Sequence, residues 1–405
     1  MLTRQRYTVS QATNCQIIKE IMHYILIIVL CIIAFFGDHV FLYKNSHFLS
    51  TAQAQSTSTQ FQIKILASGL KHPWGMVFMP NGKMLVTERV GQLRIISQEG
   101  QISEPVKGVP AVLHKDQGGL LDVVLDPDFA KNHLIYFSYA EQTGKTAGTT
   151  VARAELIDNT LQHINVIFRQ YPTTTGEKHF GSRLVFAPDG NLFITLGDRF
   201  SHMEQAQHLD NHIGKLIRIR PDGSIPTDNP FTHDPNIKPE IWSYGHRHIQ
   251  GAAIHPETGA LWLHEHGPRG GDEINIPKPG KNYGWPKASY GIHYWMVPIK
   301  DEHAEQGFEE PIYYWTPSIA PSGMLFYTGN LFPQWRGNLF IGALAGKHLV
   351  RLVVDAKSVL HEEKLLKNYS VRIRDVEQGP EGALYLLTDE EEGKILKLVP
   401  VTDNQ

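Results

Sequence analysis

Val185-Phe186-Ala187-Pro188-Asp189-Gly190-Asn191-Leu192-Phe193-Ile194 is the clearest copy of a phrase that decides the fold of this chain. Two short apolar runs flank a Pro-Asp-Gly turn. The proline presets the turn, the glycine accepts a positive φ, and the alternating residues on either side suit antiparallel strands. The phrase therefore predicts a β-hairpin.

Further copies of this phrase recur along the chain at irregular intervals, at 77–86, 124–137, 253–262, 333–340 and 378–385. No pattern typical of a long helix separates them. Six hairpins of this kind favour a β-propeller, whose blades are four-stranded antiparallel sheets around an axis, over a β-sandwich with similar turns. The sequence predicts an all-β fold with long loops between the copies at 253–262 and 333–340, and such loops commonly carry function.

Composition excludes some classes of function. The 405 residues include 38 Lys and Arg against 41 Asp and Glu, a net charge of -3, and no basic stripe stands out. We therefore expect no nucleic-acid partner. Both cysteines, Cys15 and Cys31, lie near the N-terminus, so the rest of the chain has no disulfide, zinc ribbon or cysteine nucleophile.

The first 54 residues have the features of an export segment. Basic residues precede an apolar run at 25–36, and Ala52-Gln53-Ala54 follows as a cleavage motif. The gap between the run and this motif is long, so residues 1–54 are either a signal peptide, with Met22 as an alternative start, or a membrane anchor with a linker. We expect an exported, periplasmic protein, cleaved near Ala54 or anchored to the inner membrane, with one propeller domain at 55–405.

Four groups of segments concentrate His, Arg, Gly and acidic residues beyond what hairpins require. They are 114–121, 178–183 with 197–199, 244–251 with 265–275 and 282–286, and 371–375. Arg372 and Arg374 would share one face of a strand, where they either bridge acids or bind an anion. Gly267-Pro268 followed by Asp272-Glu273 is either an acidic turn or a site for a hard cation such as Ca²⁺.

The sequence resembles the soluble PQQ-dependent aldose/glucose dehydrogenase family, the glucose/sorbosone dehydrogenase group. The resemblance lies in the joint order and spacing of three motifs, at 244–251, at 267–275 with 282–286, and at 372–376. The resemblance runs from about Ile63 to Val399. It implies a six-bladed propeller that binds PQQ and Ca²⁺ and oxidises aldose sugars at the anomeric carbon to lactones. The chain has no C-x-x-C-H haem motif, so electrons would pass to an external acceptor, a quinone or a cytochrome.

The resemblance also implies roles for individual residues. His179 matches the general base that takes the proton of the anomeric hydroxyl while hydride goes to C5 of PQQ. Asp198 matches the acid that orients this histidine. Positions that match contacts to PQQ are Gln117, Arg247, His248, Tyr294, Ser318, Arg372 and Arg374.

Calcium is implied at two places. The carbonyls of Gly267 and Pro268 match ligands of the Ca²⁺ that acts on PQQ as a Lewis acid. Glu273 and Tyr283 match a second, structural calcium site. With these sites, the resemblance predicts a cofactor pair, PQQ and Ca²⁺.

Two positions depart from the family pattern. Ala345 stands where some members place a lysine on PQQ, so Lys347 replaces that lysine or the cofactor has one cation fewer. His248 stands where the glucose-specific branch has asparagine, which favours the broader aldose-oxidising branch. Two rival hypotheses are a non-catalytic binding propeller and a calcium-dependent propeller lactonase, which would lack the paired arginines.

Overall fold

The structure is a computed structural model that describes residues 60–401. The predicted signal peptide or anchor at 1–54 lies outside these residues. Between residues 60 and 401 the chain forms 23 strands, one four-residue helix and three short 3-10 turns. None of the helices in this range has the length and apolar character that a membrane crossing requires.

The strands of the first three sheets are β2 (Pro73–Phe78), β3 (Met84–Glu88), β4 (Gln92–Ile96), β5 (Leu120–Leu125), β6 (Leu134–Thr143), β7 (Thr146–Ile157), β8 (Thr160–Arg169), β9 (Leu184–Phe186), β10 (Leu192–Thr195), β11 (Lys215–Ile219) and β12 (Ile241–Tyr244). Those of the last three are β13 (Ile249–Ile254), β14 (Leu261–Glu265), β15 (Asp272–Asn275), β16 (Tyr313–Trp315), β17 (Pro321–Phe326), β18 (Leu339–Ala343), β19 (His348–Val354), β20 (Val359–Leu365), β21 (Ile373–Gln378), β22 (Leu384–Thr388), β23 (Gly393–Pro400) and β1 (Phe61–Leu70). Helix α1 is Phe129–Asn132, and the 3-10 turns are Met203–Gln207, Ala304–Gln306 and Pro333–Trp335.

Within residues 60–401 these strands make six antiparallel sheets, the six blades of a propeller, which confirms the predicted fold. Five blades have four strands. The first, β2-β3-β4, has three, and its fourth is reduced to a single bridge between Ile96 and Ile102. The chain then runs into Pro105, which has no N–H to donate to a ladder.

The six repeated phrases all fall between the first and second strands of the blades, as the sequence predicts. Pro188-Asp189-Gly190 joins β9 to β10, and Gly190 has a φ of 82°. Gly82 has a φ of 77° in the corresponding turn between β2 and β3. These six turns therefore lie at the same end of their blades, and the loops at the opposite end are free to build a site.

The first strands, β2, β5, β9, β13, β17 and β21, lie nearest the propeller axis, where strands of neighbouring blades contact one another. The hydrophobic core fills the spaces between adjacent blades. In one such layer Trp262 of β14 packs with Met324 and Ile341 of the next blade. Each large apolar side chain buried in this way stabilises the fold by about 1.5–3 kcal/mol.

The ring is closed by the two ends of the described chain. Strand β1 pairs antiparallel with β23, from Phe61 opposite Pro400 to Leu70 opposite Gly393, and so becomes the outer strand of the last blade. This pairing covers an edge that would otherwise be open to association with other chains. Ring closure keeps the loops of all six blades in a fixed arrangement.

Candidate active site

The predicted site residues come together at the end of the propeller opposite the six turns. In an antiparallel blade the start of the first strand and the end of the second strand lie at the same edge. Segments before the first strands carry Gln117, His179, Arg247, His248, Ser318 and Arg372. Segments after the second strands carry Asp198, Gly267 and Pro268.

A cavity of about 350 Å³ opens at this end of the propeller. Its charged and polar lining residues are Arg89, Asp116, Gln117, His248, Gln250, His266, Arg372, Arg374 and Asp389. Trp74, Leu121, Phe180 and Leu344 supply apolar surface. The cavity size is that of a small-ligand pocket, and three guanidinium groups in its wall suit an anionic ligand.

His179 and Asp198 form a buried hydrogen-bonded pair beside this cavity. The Nδ1 atom of His179 lies 2.6 Å from Oδ1 of Asp198, and the two residues are 4% and 1% exposed. Asp198 also accepts hydrogen bonds from the Phe200 amide at 2.7 Å and from Nε1 of Trp285 at 2.8 Å. Oε1 of Gln117 accepts the His179 backbone N–H at 2.8 Å. The ring and its carboxylate partner are thus held from several elements.

The backbone around this pair is strained and closely packed. His179 and Arg199 have φ values of 53° and 56°, and residues other than glycine rarely adopt such positive values. Gly197 is required because a Cβ there would lie 2.3 Å from the His179 carbonyl oxygen. Arg199 stabilises the loop by donating to the carbonyls of Lys178 and, at 2.7 Å, Gly176.

Burial sets the protonation of the pair. It lowers the pKa of His179 below its usual value of about 6.5, even though Asp198 opposes the shift. Burial would raise the pKa of Asp198, but contact with His179 and the charge of Arg247 lower it instead. His179 is therefore neutral at pH 7 beside a carboxylate. Because Nδ1 is engaged by Asp198, Nε2 is the nitrogen left to accept a proton.

His248 joins His179 to the cavity. The two rings stack with their centroids 4.4 Å apart and their planes 10° from parallel. His248 lines the cavity, and its Nδ1 atom is buried with no hydrogen-bond partner among residues 60–401. Burial holds the pKa of His248 well below its usual value, so this ring is also neutral.

Arg372 and Arg374 converge on Asp389. Their Nη2 atoms lie 2.6 and 3.2 Å from the same Asp389 oxygen, and all three residues line the cavity. Burial would raise the pKa of Asp389, but the two arginines lower it. The arginine pair therefore bridges an acid, one of the two alternatives, and because it also lines the cavity, anion binding stays a prediction.

Three of the four residues predicted to hold calcium, Gly267, Glu273 and Tyr283, line a small void next to the cavity, and Pro268 is not among its lining residues. Glu265, Glu273, Tyr283 and Gly267 line a void of about 10 Å³, roughly the volume of one water or ion. Burial and the neighbouring Glu265 charge hold the pKa of Glu273 well above its usual range. The Glu265 and Glu273 carboxylates and the Gly267 carbonyl are hard oxygen donors of the kind calcium prefers. The Tyr283 hydroxyl is already hydrogen-bonded to the backbone of Ile276 and Lys278. Within residues 60–401 no three His, Cys, Asp or Glu side chains form a metal cluster, so carbonyl or water oxygens would have to complete the shell.

Arg247, a predicted PQQ contact, lines the small void and is not among the residues that line the larger cavity. Its Nη1 donates to the carbonyls of His266 and Gly267 at 2.9 and 2.8 Å, and its Nη2 donates to the Tyr294 hydroxyl at 3.2 Å. It lines the small void with Glu273. The predicted PQQ-contacting arginine is thus engaged with the Gly267 carbonyl that was predicted to bind calcium.

Some predicted positions lie away from the cavity wall. The Ser318 hydroxyl donates to Asp272 at 2.7 Å, and Ala320 lines the cavity in its place. Tyr294 is 51% exposed at the surface. Ala345 and Lys347 are both exposed, and Leu344 is the residue of their segment that reaches the cavity.

Sequence reasoning missed Arg89, Asp389 and the role of Trp285. Trp285 stands in a recognised motif, but its hydrogen bond to Asp198 spans 87 positions of the chain. Arg89 and Asp389 each follow directly on the second strand of a blade, β3 and β22. That position after a predicted hairpin was the signal that could have identified them.

The fold and this cavity define a β-propeller with a buried histidine–carboxylate pair next to an arginine-lined pocket. Comparison with known proteins agrees, because the sequence profile of the family described as Glucose / Sorbosone dehydrogenase matches residues 70–397. The chain belongs to this family and is an oxidoreductase.

Individual relatives cover nearly the same part of the chain. The chain is 47% identical to the aldose sugar dehydrogenase of Escherichia coli strain K12 over 84% of its length and 92% of that protein. A crystal structure of the soluble E. coli aldose sugar dehydrogenase in its apo-form is 46% identical, with a TM-score of 0.80, over 84% of this chain and 100% of that one. The PQQ-bound aldose sugar dehydrogenase of Streptomyces coelicolor is 26% identical, with a TM-score of 0.70, over 84% and 99%.

Proposed function

We propose that this protein oxidises aldose sugars at the anomeric carbon to lactones, with PQQ as cofactor and Ca²⁺ as its metal. One observation carries the proposal: the neutral His179, backed by Asp198 at 2.6 Å, lies beside a cavity lined by three arginines. A base next to a cationic pocket suits a reaction that removes a proton from a neutral substrate near an anionic cofactor.

The cavity residues fit PQQ, a planar tricarboxylate. Nε of Arg89 and Nε of Arg374 are buried without hydrogen-bond partners in residues 60–401, so both can donate to carboxylates. The flat ring of Trp74 and the side chain of Leu344 suit a planar molecule. The PQQ-bound relative from S. coelicolor supports this choice of cofactor. A lactonase would have no need of the guanidinium groups.

When bound, PQQ supplies the acceptor for the sugar hydride, at C5 in this family, and Ca²⁺ polarises the accepting carbonyl. The protein supplies the proton acceptor. Nε2 of His179 takes the proton of the anomeric hydroxyl, and Asp198 stabilises the imidazolium that forms. Gln117 and Trp285 keep the ring and the carboxylate in place through their hydrogen bonds. His179 would therefore act as the general base.

Calcium is proposed at the two places that the resemblance implies. The Gly267 and Pro268 carbonyls would serve the ion next to PQQ, and Glu273 with Tyr283 would serve a structural ion. Burial raises the pKa of Glu273, and repulsion from the charge of the neighbouring Glu265 raises it further. A divalent ion would relieve the repulsion.

The acceptor and the location are further parts of the proposal. Electrons would leave to a quinone or a cytochrome, and the N-terminal pattern at 1–54 supports export to the periplasm, by a cleaved signal or a membrane anchor. Cell fractionation with N-terminal sequencing of the mature protein tests this. Material found in the cytoplasm with residues 1–54 intact would contradict export.

Reconstitution tests the main proposal. Apo-protein is mixed with PQQ and Ca²⁺, and reduction of a dye is followed with several aldoses. We expect activity that requires both additions and that is lost with EDTA, together with a higher melting temperature when PQQ is present. No dye reduction with any aldose and no retained PQQ absorbance would refute the proposed function.

A further inference from the structure

The position immediately after the second strand of a blade faces the cavity repeatedly. In four blades, within residues 60–401, the residue that follows the second strand lines the cavity: Arg89 after β3, His266 after β14, Leu344 after β18 and Asp389 after β22. Because the propeller repeats the same geometry in each blade, this topological position brings a side chain to the cavity. The repeated blade geometry therefore brings the side chain of Arg89 to the cavity.

The backbone of Arg89 is held firmly at the cavity rim. Gly119 packs against it so closely that a Cβ at Gly119 would lie 2.2 Å from the Arg89 carbonyl oxygen. The Leu120 amide donates to the same oxygen at 3.3 Å. This contact places Arg89 beside Gln117 in the cavity wall. Gln117 accepts a hydrogen bond from the His179 backbone N–H.

The side chain of Arg89 lacks the acid partner that the other cavity arginines have. Its Nη1 donates to the backbone carbonyl of Asp116, and its Nε is buried without a partner in residues 60–401. The Asp116 carboxylate lies 3.6 Å from Lys178 instead. Arg372 and Arg374 share the single carboxylate of Asp389.

The charges in the wall therefore do not balance. Three guanidiniums, those of Arg89, Arg372 and Arg374, line the wall with two aspartates, Asp116 and Asp389. The Asp116 carboxylate pairs with Lys178, so Asp389 is the one lining acid that pairs with the arginines. Burial lowers the pKa of Arg374, and the nearby Arg89 charge lowers it further, so the like charges repel. An anion with more than one negative charge would relieve this repulsion.

We propose that Arg89 is a PQQ-binding residue whose guanidinium pairs with one of the carboxylates of the cofactor. The assignment rests on the proposed function, since it takes PQQ as the anion. It also answers the question raised by Ala345, because the additional cation comes from the first blade and not from the exposed Lys347.

The test is equilibrium binding of PQQ, with Ca²⁺ present, to the purified full chain by calorimetry or absorbance. We expect Arg89→Met to raise the Kd of PQQ on the order of 10- to 100-fold, the cost of one charge-assisted hydrogen bond. Raising the salt concentration should weaken binding less in Arg89→Met than in the wild type, because one charge pair fewer is screened. Lys347→Met is the matched control and should change the Kd by about twofold or less.

Two further measurements separate binding from folding. The melting temperature of apo Arg89→Met should stay within about 3 °C of the wild type. Arg89→Gln, which keeps a donor for the Asp116 carbonyl, should show the same loss of affinity and of salt sensitivity. Wild-type affinity in both Arg89 variants, or an equal loss in Lys347→Met, would overturn the assignment alone. Failure of the wild type to bind PQQ would overturn the proposed function and the assignment with it.

Discussion

At His179, burial and the Asp198 carboxylate act on the proton affinity of one ring in opposite directions. Burial prevails, so the pKa of the ring is below its usual value and the imidazole is neutral at pH 7, as the proposed base requires. The price is a strained φ of 53° and a loop that several residues must hold. Such strain is typical of functional sites, where the surrounding structure imposes it.

Removing the base should separate binding from turnover. We predict that His179→Ala lowers kcat by about 10²- to 10⁴-fold, the usual contribution of a general base. The Kd of PQQ should change little, because the charged wall of the cavity remains. Steady-state kinetics with calorimetry of PQQ binding measure both quantities. Near-normal turnover would remove His179 from this role.

The pH profile tests the partnership with Asp198. The base must be neutral, so kcat/KM falls as the pH drops through the His179 pKa. Asp198 favours the protonated ring. Its loss in Asp198→Asn lowers that pKa further and moves the acid limb of the profile to lower pH. We also expect kcat to fall about 10- to 100-fold, because the imidazolium loses a charge-assisted bond. An acid limb that moves to higher pH would contradict this arrangement.

At the level of elements, each blade uses its two ends differently. The Pro-Asx-Gly turns close hairpins at one end, and the loops at the other end carry charged and strained residues. The loop before β9 and the segment after β10 meet at Gly197, where His179 and Asp198 come into register. Close backbone packing at Gly197 thus helps to position the proposed catalytic pair.

Gly197→Ala should therefore impair catalysis more than folding. The added Cβ would lie 2.3 Å from the His179 carbonyl oxygen and so displace the His179 loop. A misplacement of about 1 Å can cost about 10²-fold in rate. We expect kcat to fall by about 10- to 100-fold.

Gly190→Ala is the matched control, since Gly190 lies in a turn at the opposite end with no atom within 4 Å of an added Cβ. Its positive φ should cost about 1–2 kcal/mol of stability and leave kcat unchanged. Thermal melting and steady-state kinetics on both variants decide the matter. Equal kcat values in Gly197→Ala and the wild type would show that this contact does not position the base.

At the level of the whole molecule, the site depends on ring closure. Residues of the cavity come from blades that are distant in sequence, for example Arg89 in the first and Asp389 in the last. Strand β1 locks these two ends together through β23, and its Leu70 is fully buried. Opening the ring would separate the arginines from one another.

A chain that starts at residue 71 should lose cooperative unfolding and PQQ binding, whereas one that starts at residue 59 should keep both. Loss of the ten residues of β1 removes a ladder and buried apolar contacts on a scale of about 5 kcal/mol or more, comparable to the whole stability of a domain. A peptide covering 59–70 should restore PQQ binding by adding the missing strand. Unchanged melting of the shorter chain would contradict this account of closure.

The sequence by itself determined the hairpins and hence the fold class. Turn chemistry such as Pro188-Asp189-Gly190 is local, so its meaning does not depend on distant residues. Motif order also identified the family and the pair His179 and Asp198, which the structure brings to 2.6 Å. The N-terminal prediction for 1–54 and the metal roles of Gly267 and Pro268 remain predictions.

Only the tertiary structure decided which side chains share the cavity. Arg89 stands 283 positions before Arg372, yet both line one wall because a closed ring places the first and last blades side by side. Ser318 and Tyr294 matched the family pattern but face Asp272 and Arg247. The spacing of residues along the chain predicts which face of a strand or helix each residue lies on. Which side chains of different blades meet in the cavity depends on ring closure and on packing between blades, and no local sequence pattern specifies either.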